Sequence, residues 1–497
     1  MRRAFLTVND RTLHYRTGGH GSPVVMLHPS PLSSAAVLPL AQQLEEYFTV
    51  YAFDTPGYGL SDPLPQRPAT LEDYLPTFAA ALDALGLPRV CLYGAATGAQ
   101  FAIEFANRYP QRVALMVIDS AGHIPADECE AIVRDYFPDL TPHHDGRHVM
   151  TLWQMVRDLF VFFPWCDRRA ERRIDRDLPP AAVMQGMLLD YLRAGADYHL
   201  AYRPAFYNER AERAQQVTVP SALVRWDSSI VLRITDALID AGLPANYTVL
   251  RLGPTPADRF GGIREHLLKH YRERAAGQPP ACPQPPGRWH GRFIDVPGGQ
   301  LHARAIASGA GLARIWLHDA GESSAVFAAD LGTSAGHSPI VALDLPGHGE
   351  TEIPLPSGDG CVDVLADLVL AAVDALGLDQ AQIGGTGAGA IVAYAAAKRR
   401  PQLLRRDVTA MPDAAQLASE SLPNLAPMPD GTHLAAAWQL VRDAGLWRRE
   451  ARGLRRGALA GEPRLEVHDL QRRFVELMKA GDGYRTLLRA AALYPRE

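Results

Sequence analysis

Residues 90–99, Val90-Cys-Leu-Tyr-Gly-Ala-Ala-Thr-Gly-Ala99, decide the fold of this chain. A short apolar run leads into a turn of small residues, and Ala99–Arg108 then has the spacing of a helix. An apolar run without alternation is typical of a strand that is buried on both faces of a parallel sheet. The stretch therefore predicts a strand, a tight turn and a helix, the repeating unit of a doubly wound sheet.

Further apolar runs predict more strands of this sheet. They are Val24–Leu27, Thr49–Phe53 and Leu115–Ile118, and Leu71–Leu85 has the pattern of a helix between two of them. From about Pro125 to Arg213 the pattern becomes mostly helical. We interpret that region as a helical cap inserted into an α/β domain.

The same motifs occur twice along the chain. Gly94-Ala-Ala-Thr-Gly-Ala99 matches Gly385-Thr-Gly-Ala-Gly-Ala390, and Asp54-Thr-Pro-Gly-Tyr-Gly59 matches Asp344-Leu-Pro-Gly-His-Gly349. Other matching blocks begin, in the same order, at Val24 and Ala313, at Ala81 and Ala372, and at Asp145 and Asp430. Self-similarity over a long period indicates repeated structural units. We predict an internal duplication.

A proline-rich stretch, residues 276–289, is the predicted linker between the copies. Proline cannot continue a helix or a central strand, so such a stretch forms an extended spacer. We predict a first domain over 1–275 with a cap at about 125–213, and a second over 290–497 with a cap at about 412–490. The first copy continues through the strand-like segments Val219–Trp226 and Thr248–Leu252, whereas the second ends before their counterparts. The second sheet is therefore expected to be truncated by about two strands.

Composition excludes several classes of protein. Of 497 residues, 47% are hydrophobic, and the net charge of −5 is too small to indicate a nucleic-acid-binding surface. The most apolar run, Ile383–Ala397, is shorter than the roughly 20 residues of a membrane span, and Met1–Asp10 is too polar for a signal peptide. The five cysteines form no CxxC pair. We expect a cytoplasmic protein without a metal, a cofactor, or a nucleic-acid or membrane partner.

The order of these motifs is similar to that of the α/β-hydrolase superfamily, on its epoxide-hydrolase and C–C-hydrolase side. A His28-Pro29 loop follows a strand, Asp54-x-Pro-Gly-x-Gly-x-Ser61 comes next, and a strand, elbow and helix at Gly94–Gly98 precede the helical region. The resemblance covers 1–275 and again about 290–497. It implies two α/β-hydrolase-like domains with helical caps, the second with a truncated sheet.

The catalytic positions depart from the superfamily pattern. The elbow of such hydrolases is Gly-x-Ser-x-Gly, but Ala96 and Gly387 stand at the serine position here. Neither side chain can attack a carbonyl carbon. The turn after the last strand, where the superfamily has its histidine, contains none, and we interpret the later His266 as a surface residue. The sequence predicts that neither copy has a Ser-His-Asp triad.

The working pocket is expected in the first copy, between the elbow and the cap, because only that copy has the complete strand set. The N-terminus of a helix favours negative charge, and converging N–H groups stabilise an oxyanion. Ala96, Thr97 and Pro29 are therefore the candidates for binding a substrate oxygen, with Trp153 as an apolar wall.

Three side chains are candidates for catalysis: His148, Asp119 and His28. His148 lies in the cap and is expected at the mouth of the pocket as an acid or base, or else bonded inside the cap. Asp119 ends a predicted strand, where it either orients a histidine or caps the next segment. His28 precedes the oxyanion loop, and in the superfamily this residue is often structural.

Three functions stay open at this point. In the first, the protein is an enzyme that binds a small carbonyl or carboxylate compound at the oxyanion site and acts on it by acid–base chemistry, as a lyase, isomerase or cyclase. Alternatively it is a pseudo-hydrolase that binds a ligand or partner, or a hydrolase with an unconventional nucleophile such as Thr97. The cap and loops of the first copy favour the first. The exposed edge of the second sheet is expected to pack on the first domain or to form a homo-oligomer.

Overall fold

The computed structural model describes residues 1–275, 277, 287–306, 311–331, 338–358, 360–406, 422–446 and 465–495. They form two compact units. Unit 1 comprises Met1–Thr141 and Thr151–Pro283, and unit 2 comprises Pro142–Met150 and Gln284–Glu497. Most of the predicted linker 276–289 and parts of the predicted second cap lie outside the described residues.

The sheet of unit 1 has eight strands: β1 (Arg2–Val8), β2 (Arg11–Gly18), β3 (Pro23–Leu27), β4 (Thr49–Phe53), β5 (Val90–Ala95), β6 (Val113–Asp119), β7 (Ser221–Trp226) and β8 (Tyr247–Leu252). Their order is β1-β2-β4-β3-β5-β6-β7-β8. Strands β1 and β2 are antiparallel to their neighbours, and the other strands run parallel. Strands β3 to β6 are the ones that the apolar runs predict, and β3 and β5 are buried along their whole length.

The helices within residues 1–275 are α1 (Leu38–Leu44), α2 (Leu75–Ala84), α3 (Thr97–Arg108), α4 (Ala126–Tyr136), α5 (Arg147–Asp158), α6 (Ala181–Ala194), α7 (Tyr202–Asn208), α8 (Ala211–Gln215), α9 (Leu232–Asp240) and α10 (Pro256–His270). Helices α4 to α8 come between β6 and β7, where the sequence predicts the cap. The first residues of α5, up to Met150, belong to unit 2.

Unit 2 contains the strands β9 (His290–Val296), β10 (Gly299–Ile306), β11 (Ala313–Leu317), β12 (Ile340–Leu343), β13 (Ala381–Gly385) and β14 (Leu404–Arg406). Its helices are α11 (Ser324–Leu331), α12 (Cys361–Ala375), α13 (Gly387–Arg399), α14 (Thr432–Leu446), α15 (Val467–Ala480) and α16 (Gly483–Leu493). The sheet order β9-β10-β12-β11-β13-β14 repeats that of β1 to β6. The prediction of a shorter second sheet is confirmed.

Two further properties concern the described residues. Cys91, Cys129, Cys166 and Cys361 are free thiols. Among the residues that the structure describes, no helix has both the length and the apolar character required to cross a bilayer.

Candidate functional site

The turn between β5 and α3 is a sharp elbow with Ala96 at its apex. Ala96 has φ +48° and ψ −113°, a conformation that residues with a side chain rarely adopt. Its N–H donates to the carbonyl oxygen of Asp119 at 2.9 Å, and α3 begins at Thr97. A Cβ on Gly98 would lie 2.2 Å from the carbonyl oxygen of Leu27, so glycine is required for α3 to approach β3. The elbow brings the N-terminus of α3 to the carboxyl edge of the sheet.

A cavity of about 510 Å³ opens at this elbow, entirely within unit 1. Ala96, Thr97 and Pro29, the three residues predicted to bind a substrate oxygen, all line it. Much of the remaining wall is apolar or aromatic, formed by Ile124, Phe160, Met187, Phe206, Trp226 and Phe260 among others. An apolar cavity of this size with a few polar groups is the usual form of a small-molecule site.

Asp119 lies directly beside the elbow, but it contacts an arginine rather than a histidine. Its carboxylate is fully buried and accepts hydrogen bonds from the Tyr93 hydroxyl at 2.9 Å and from Arg259 Nε at 2.8 Å. Arg259 Nη2 is 2.7 Å from the same oxygen, and its guanidinium lies 4.7 Å from the ring centre of Trp226. Burial opposes the charge of Arg259, yet the Asp119 carboxylate raises the pKa of its guanidinium. The Arg259 guanidinium therefore stays protonated.

Arg259 was missed by the sequence analysis, although it lines the cavity. It lies in the first turns of α10, just after β8 and close to the turn in which the superfamily has its histidine. A search of that segment for any charged side chain would have found it. An arginine cannot act as a general base, because its guanidinium stays protonated at every physiological pH. Arg259 can bind an anion there.

Glu209 is a second lining residue that the sequence analysis missed. It follows the last turn of α7, and its Oε2 accepts a hydrogen bond from the N–H of Gly122 at 2.6 Å. Burial raises the pKa of this carboxyl group to about 8. This favours the protonated, uncharged form of Glu209 at neutral pH. Its sequence context, a lone acid after aromatic residues, carries no signal of this environment.

The structure does not bring His148 to the cavity. His148 belongs to unit 2, where its Nδ1 accepts the N–H of His143 at 3.2 Å and its Nε2 donates to Gln471 Oε1 at 2.7 Å. Its ring packs edge-on against Trp438 at 5.0 Å. Both ring nitrogens are used in these bonds, so the expectation that His148 reaches the pocket mouth is not met.

His28 is buried and its hydrogen bonds are local. The Thr55 N–H donates to His28 Nε2 at 3.0 Å, so Nδ1 carries the proton and donates to the Pro29 carbonyl oxygen at 2.9 Å. Burial lowers the pKa of this imidazole, which keeps it neutral. In unit 2, His318 makes the same two bonds, with Leu345 and Asp319. This placement fits the structural alternative for His28.

Two further expectations also differ from the structure. Trp153 is buried within α5 with 1% of its surface exposed, and it does not line the cavity. His266 is buried in α10 rather than at the surface, and burial lowers its pKa to about 4. In both cases the tertiary packing of a helix decides what the local sequence leaves open. Within the described part of the chain, the cavity lining contains no histidine.

The elbow of unit 2 has a similar φ angle at its apex, but a side chain of the chain itself occupies it. Gly387 has φ +50°, close to the value at Ala96. The carboxylate of Asp319, which follows β11, accepts hydrogen bonds from the N–H groups of Ala388 and Ala320, both at 2.8 Å. A Cβ on Gly387 would lie about 2 Å from that carboxylate. The N–H groups at this elbow therefore bind a carboxylate that the chain itself supplies.

Helix α15 covers the same region of unit 2. A Cβ on Gly321 would lie 2.8 Å from the Leu477 side chain of this helix. Arg473, also on α15, pairs with Glu322 at 3.1 Å. The loop that corresponds to the cavity wall at Pro29–Leu32 in unit 1 is thus packed against a helix in unit 2.

Comparison with known proteins identifies relatives over parts of the chain. A 2-hydroxy-6-oxononadienedioate/2-hydroxy-6-oxononatrienedioate hydrolase from Pseudomonas putida is 34% identical over 118 residues, 23% of this chain and 41% of the relative. A cis-3-alkyl-4-alkyloxetan-2-one decarboxylase from Shewanella oneidensis is 33% identical over 129 residues, 25% of this chain and 41% of the relative. The chain spans about two fifths of the length of these relatives.

Longer parts of the chain match a solved structure and a family model. A thermophilic esterase from Thermogutta terrifontis, solved with malate bound, is 19% identical with a TM-score of 0.41, over 55% of this chain and all of the esterase. The model of the alpha/beta hydrolase fold family matches residues 22–144 and 319–479, more than half of the chain and parts of both units. The chain belongs to the alpha/beta hydrolase fold family.

Proposed function

We propose that unit 1 binds a small carbonyl or carboxylate compound with one oxygen at the elbow, and that it acts on this compound by acid–base chemistry as a lyase, isomerase or cyclase. The donors for that oxygen are the N–H groups of Thr97 and Ser30. Ala96 at the apex supports a mechanism without a covalent acyl intermediate, because its methyl group is not a nucleophile. The small side chain also leaves room for the ligand.

The observation that carries this proposal is the carboxylate of Asp319 in unit 2. It accepts hydrogen bonds from Ala388 and Ala320, the counterparts of Thr97 and Ser30. In unit 1 the counterpart of Asp319 is Pro29, which has no carboxylate, and a cavity lies there instead. Since two elbows of similar backbone shape offer similar donors, a ligand oxygen takes the place of the internal carboxylate.

The relatives support the same class of ligand. The Pseudomonas putida protein is a hydrolase of an oxo-dicarboxylate, and the Shewanella oneidensis protein is a decarboxylase of an oxetan-2-one. Their substrates carry carbonyl or carboxylate groups. Arg259 supplies a cation beside the elbow for such a group. It is hydrogen-bonded to the carboxylate of Asp119, and the backbone carbonyl oxygen of Asp119 accepts the N–H of Ala96.

The test is binding of 2-oxobutyrate, followed by saturation-transfer NMR. We expect the wild-type chain to bind it and Ala96→Leu to bind at least about tenfold more weakly, because the larger side chain fills the space at the elbow. Ala182→Leu, an exposed position on α6, is the matched control and should bind normally. Unchanged binding by a folded Ala96→Leu variant would place the ligand elsewhere and refute the proposal.

For unit 2 we propose a non-catalytic role, as a pseudo-hydrolase half derived from unit 1 by tandem duplication. The matching motifs and the shared strand order support the duplication. The hydrogen bonds of Asp319 support the loss of ligand binding, because they use the donors that a ligand needs. We also propose a cytoplasmic location, which the free thiols support, and a homo-oligomer formed through the edge of the shorter sheet.

A further inference from the structure

The cavity of unit 1 contains one group that can gain and lose a proton near neutral pH. Its described lining includes four tyrosines, two arginines and a single carboxyl group, that of Glu209. Arginine stays protonated, and burial raises the pKa of the lining tyrosines, as it does for Tyr202 to about 12. By its position in the lining and by its chemistry, Glu209 is the candidate for moving a proton.

Hydrogen bonds tie Glu209 to the elbow. The N–H of Gln100, in the first turn of α3, donates to the carbonyl oxygen of Ala96 at 3.2 Å. The Oε1 of Gln100 accepts a hydrogen bond from Asn208 Nδ2 at 2.9 Å, and Asn208 directly precedes Glu209. From the other side, the N–H of Gly122 holds the Glu209 carboxyl group at 2.6 Å. The contact between Asn208 and Gln100 and the hydrogen bond from Gly122 therefore position this carboxyl group relative to the proposed site of the ligand oxygen.

The surroundings of Glu209 allow both of its protonation states. Burial raises the pKa of Glu209 to about 8, while the Gly122 N–H, the Gln100 side chain and the Arg210 guanidinium act in the opposite direction. Cys129 also faces it, and burial raises the pKa of that thiol too. An acid–base catalyst works best when its pKa lies near the working pH.

We propose that Glu209 is a catalytic acid–base residue of unit 1 and that the cavity interconverts an oxo acid and its enolate. This inference rests on the proposed function, since it takes the ligand carbonyl oxygen to lie on the N–H groups of Thr97 and Ser30. Arg259, which lines the same cavity, binds the carboxylate of the oxo acid.

The chemical step needs no other reactant. The ionised carboxylate of Glu209 removes a proton from the carbon next to the ligand carbonyl. The electron pair of the broken C–H bond forms a C=C bond, and the π pair of the C=O bond moves to the oxygen, which the two N–H groups stabilise as an enolate. The reverse step returns the proton from Glu209 to the carbon and restores the ketone. Protons and electrons balance.

The first experiment measures exchange of the methylene protons of 2-oxobutyrate with deuterium in D₂O by proton NMR. We expect the wild-type chain to catalyse exchange and Glu209→Gln to lower its kcat by about 100-fold or more, with KM changed by less than about threefold. Glutamine can still accept the Gly122 N–H, so this variant is expected to fold. Glu209→Asp should recover part of the rate. Glu212→Gln, at an exposed position three residues further on, is the matched control and should keep the full rate.

The outcomes separate this inference from the proposed function. If Glu209→Gln keeps the wild-type exchange rate while Ala96→Leu abolishes both binding and exchange, the ligand site stands and the role of Glu209 is wrong. If the wild-type chain binds 2-oxobutyrate but catalyses no exchange, the proton transfer to and from an enolate is refuted and the binding proposal survives. If 2-oxobutyrate does not bind, both proposals fail.

A second measurement needs no ligand. Infrared difference spectra between the wild-type chain and Glu209→Gln isolate the carboxylic-acid band of Glu209 and follow it with pH. We expect this band to disappear with a midpoint near pH 8. A midpoint in the range of an exposed glutamate, roughly 4 to 5, would leave no proton to transfer near neutral pH and would overturn the assignment.

Discussion

The two elbows of this chain share one backbone shape and differ in what occupies them. In unit 1, the Nδ1 of His14 lies 2.8 Å from Asp54 Oδ2, and the Ser34 N–H donates to the other oxygen of Asp54 at 2.7 Å. In unit 2, His302, Asp344 and Ser324 repeat this arrangement at 2.8 and 2.6 Å. The buried polar network that shapes the loops is thus the same in both units.

The difference lies in the space above that network. Unit 1 has Pro29, Ala96 and a cavity, whereas unit 2 has Asp319, Gly387 and a carboxylate bonded in place. The elbow is therefore a property of the fold. It is present in both units, whether or not there is space for a ligand. The side chain that follows the His in each loop decides whether the donors are available.

The largest effect is expected from adding one methyl group to the elbow of unit 2. Gly387→Ala should destabilise unit 2 by about 3 kcal/mol or more. The new Cβ would lie about 2 Å from the Asp319 carboxylate, and the positive φ at this position also disfavours a side chain. Urea unfolding measures the loss. Gly377→Ala, which also has positive φ but open space around it, is the matched control and should cost only about 1 kcal/mol.

This prediction has a second arm. If collision with Asp319 causes the loss, Asp319→Ala should recover most of the stability in the Gly387→Ala background. Equal losses for Gly387→Ala and Gly377→Ala would mean that the carboxylate does not occupy the elbow, and the contrast between the two units would disappear.

The next effect concerns the carboxyl group that unit 1 buries. Because the pKa of Glu209 rises from 4.5 to about 8 on folding, the folded state binds more protons than the unfolded state between these values. The contribution of Glu209 to stability is therefore fully present below about pH 4.5 and is lost as the pH rises toward 8. Over this range the free energy of unfolding falls by at most about 1.4 kcal/mol per pH unit. Glu209→Gln should remove this slope from urea unfolding measured across the range. An unchanged slope in the variant would show that Glu209 titrates normally.

A smaller effect distinguishes the two interpretations of His148. His148→Ala should destabilise unit 2 by about 2 kcal/mol, because it removes hydrogen bonds to His143 and Gln471 and the contact with Trp438. Binding of 2-oxobutyrate to unit 1 should not change. The opposite pattern, normal stability with lost binding, would restore His148 as a residue of the ligand site.

The smallest effect is a gain in unit 1. Ala96→Gly should stabilise the chain by about 1 kcal/mol or less. Glycine adopts φ +48° without strain, which stabilises the folded state, but its greater entropy in the unfolded state offsets part of this gain. Thermal unfolding of both proteins measures the difference. A loss of stability would mean that the Ala96 methyl group contributes packing that outweighs the strain of its backbone.

The sequence predicted the parts of the site that are built from backbone. Ala96, Thr97 and Pro29 line the cavity, because their positions follow from strand, turn and helix in succession. The chemistry-bearing side chains were not predicted. Arg259 and Glu209 come from different segments of the chain, and the roles proposed for them depend on burial, which no local pattern records. His148 does not line the cavity, and no local pattern shows this, since its neighbours Trp438 and Gln471 lie almost 300 residues or more away.

By itself, the sequence determined the strand succession, the two elbows and the shorter second sheet, because apolar periodicity and small residues at tight turns act over a few neighbouring positions. Only the tertiary structure decided which elbow is open. Pro29 and Asp319 are ordinary loop residues in the sequence, and nothing local shows that the carboxylate of Asp319 reaches the N–H of Ala388 at 2.8 Å. That contact joins residues 69 positions apart. It forms because parallel strands bring the loops after β11 and β13 to the same edge of the sheet.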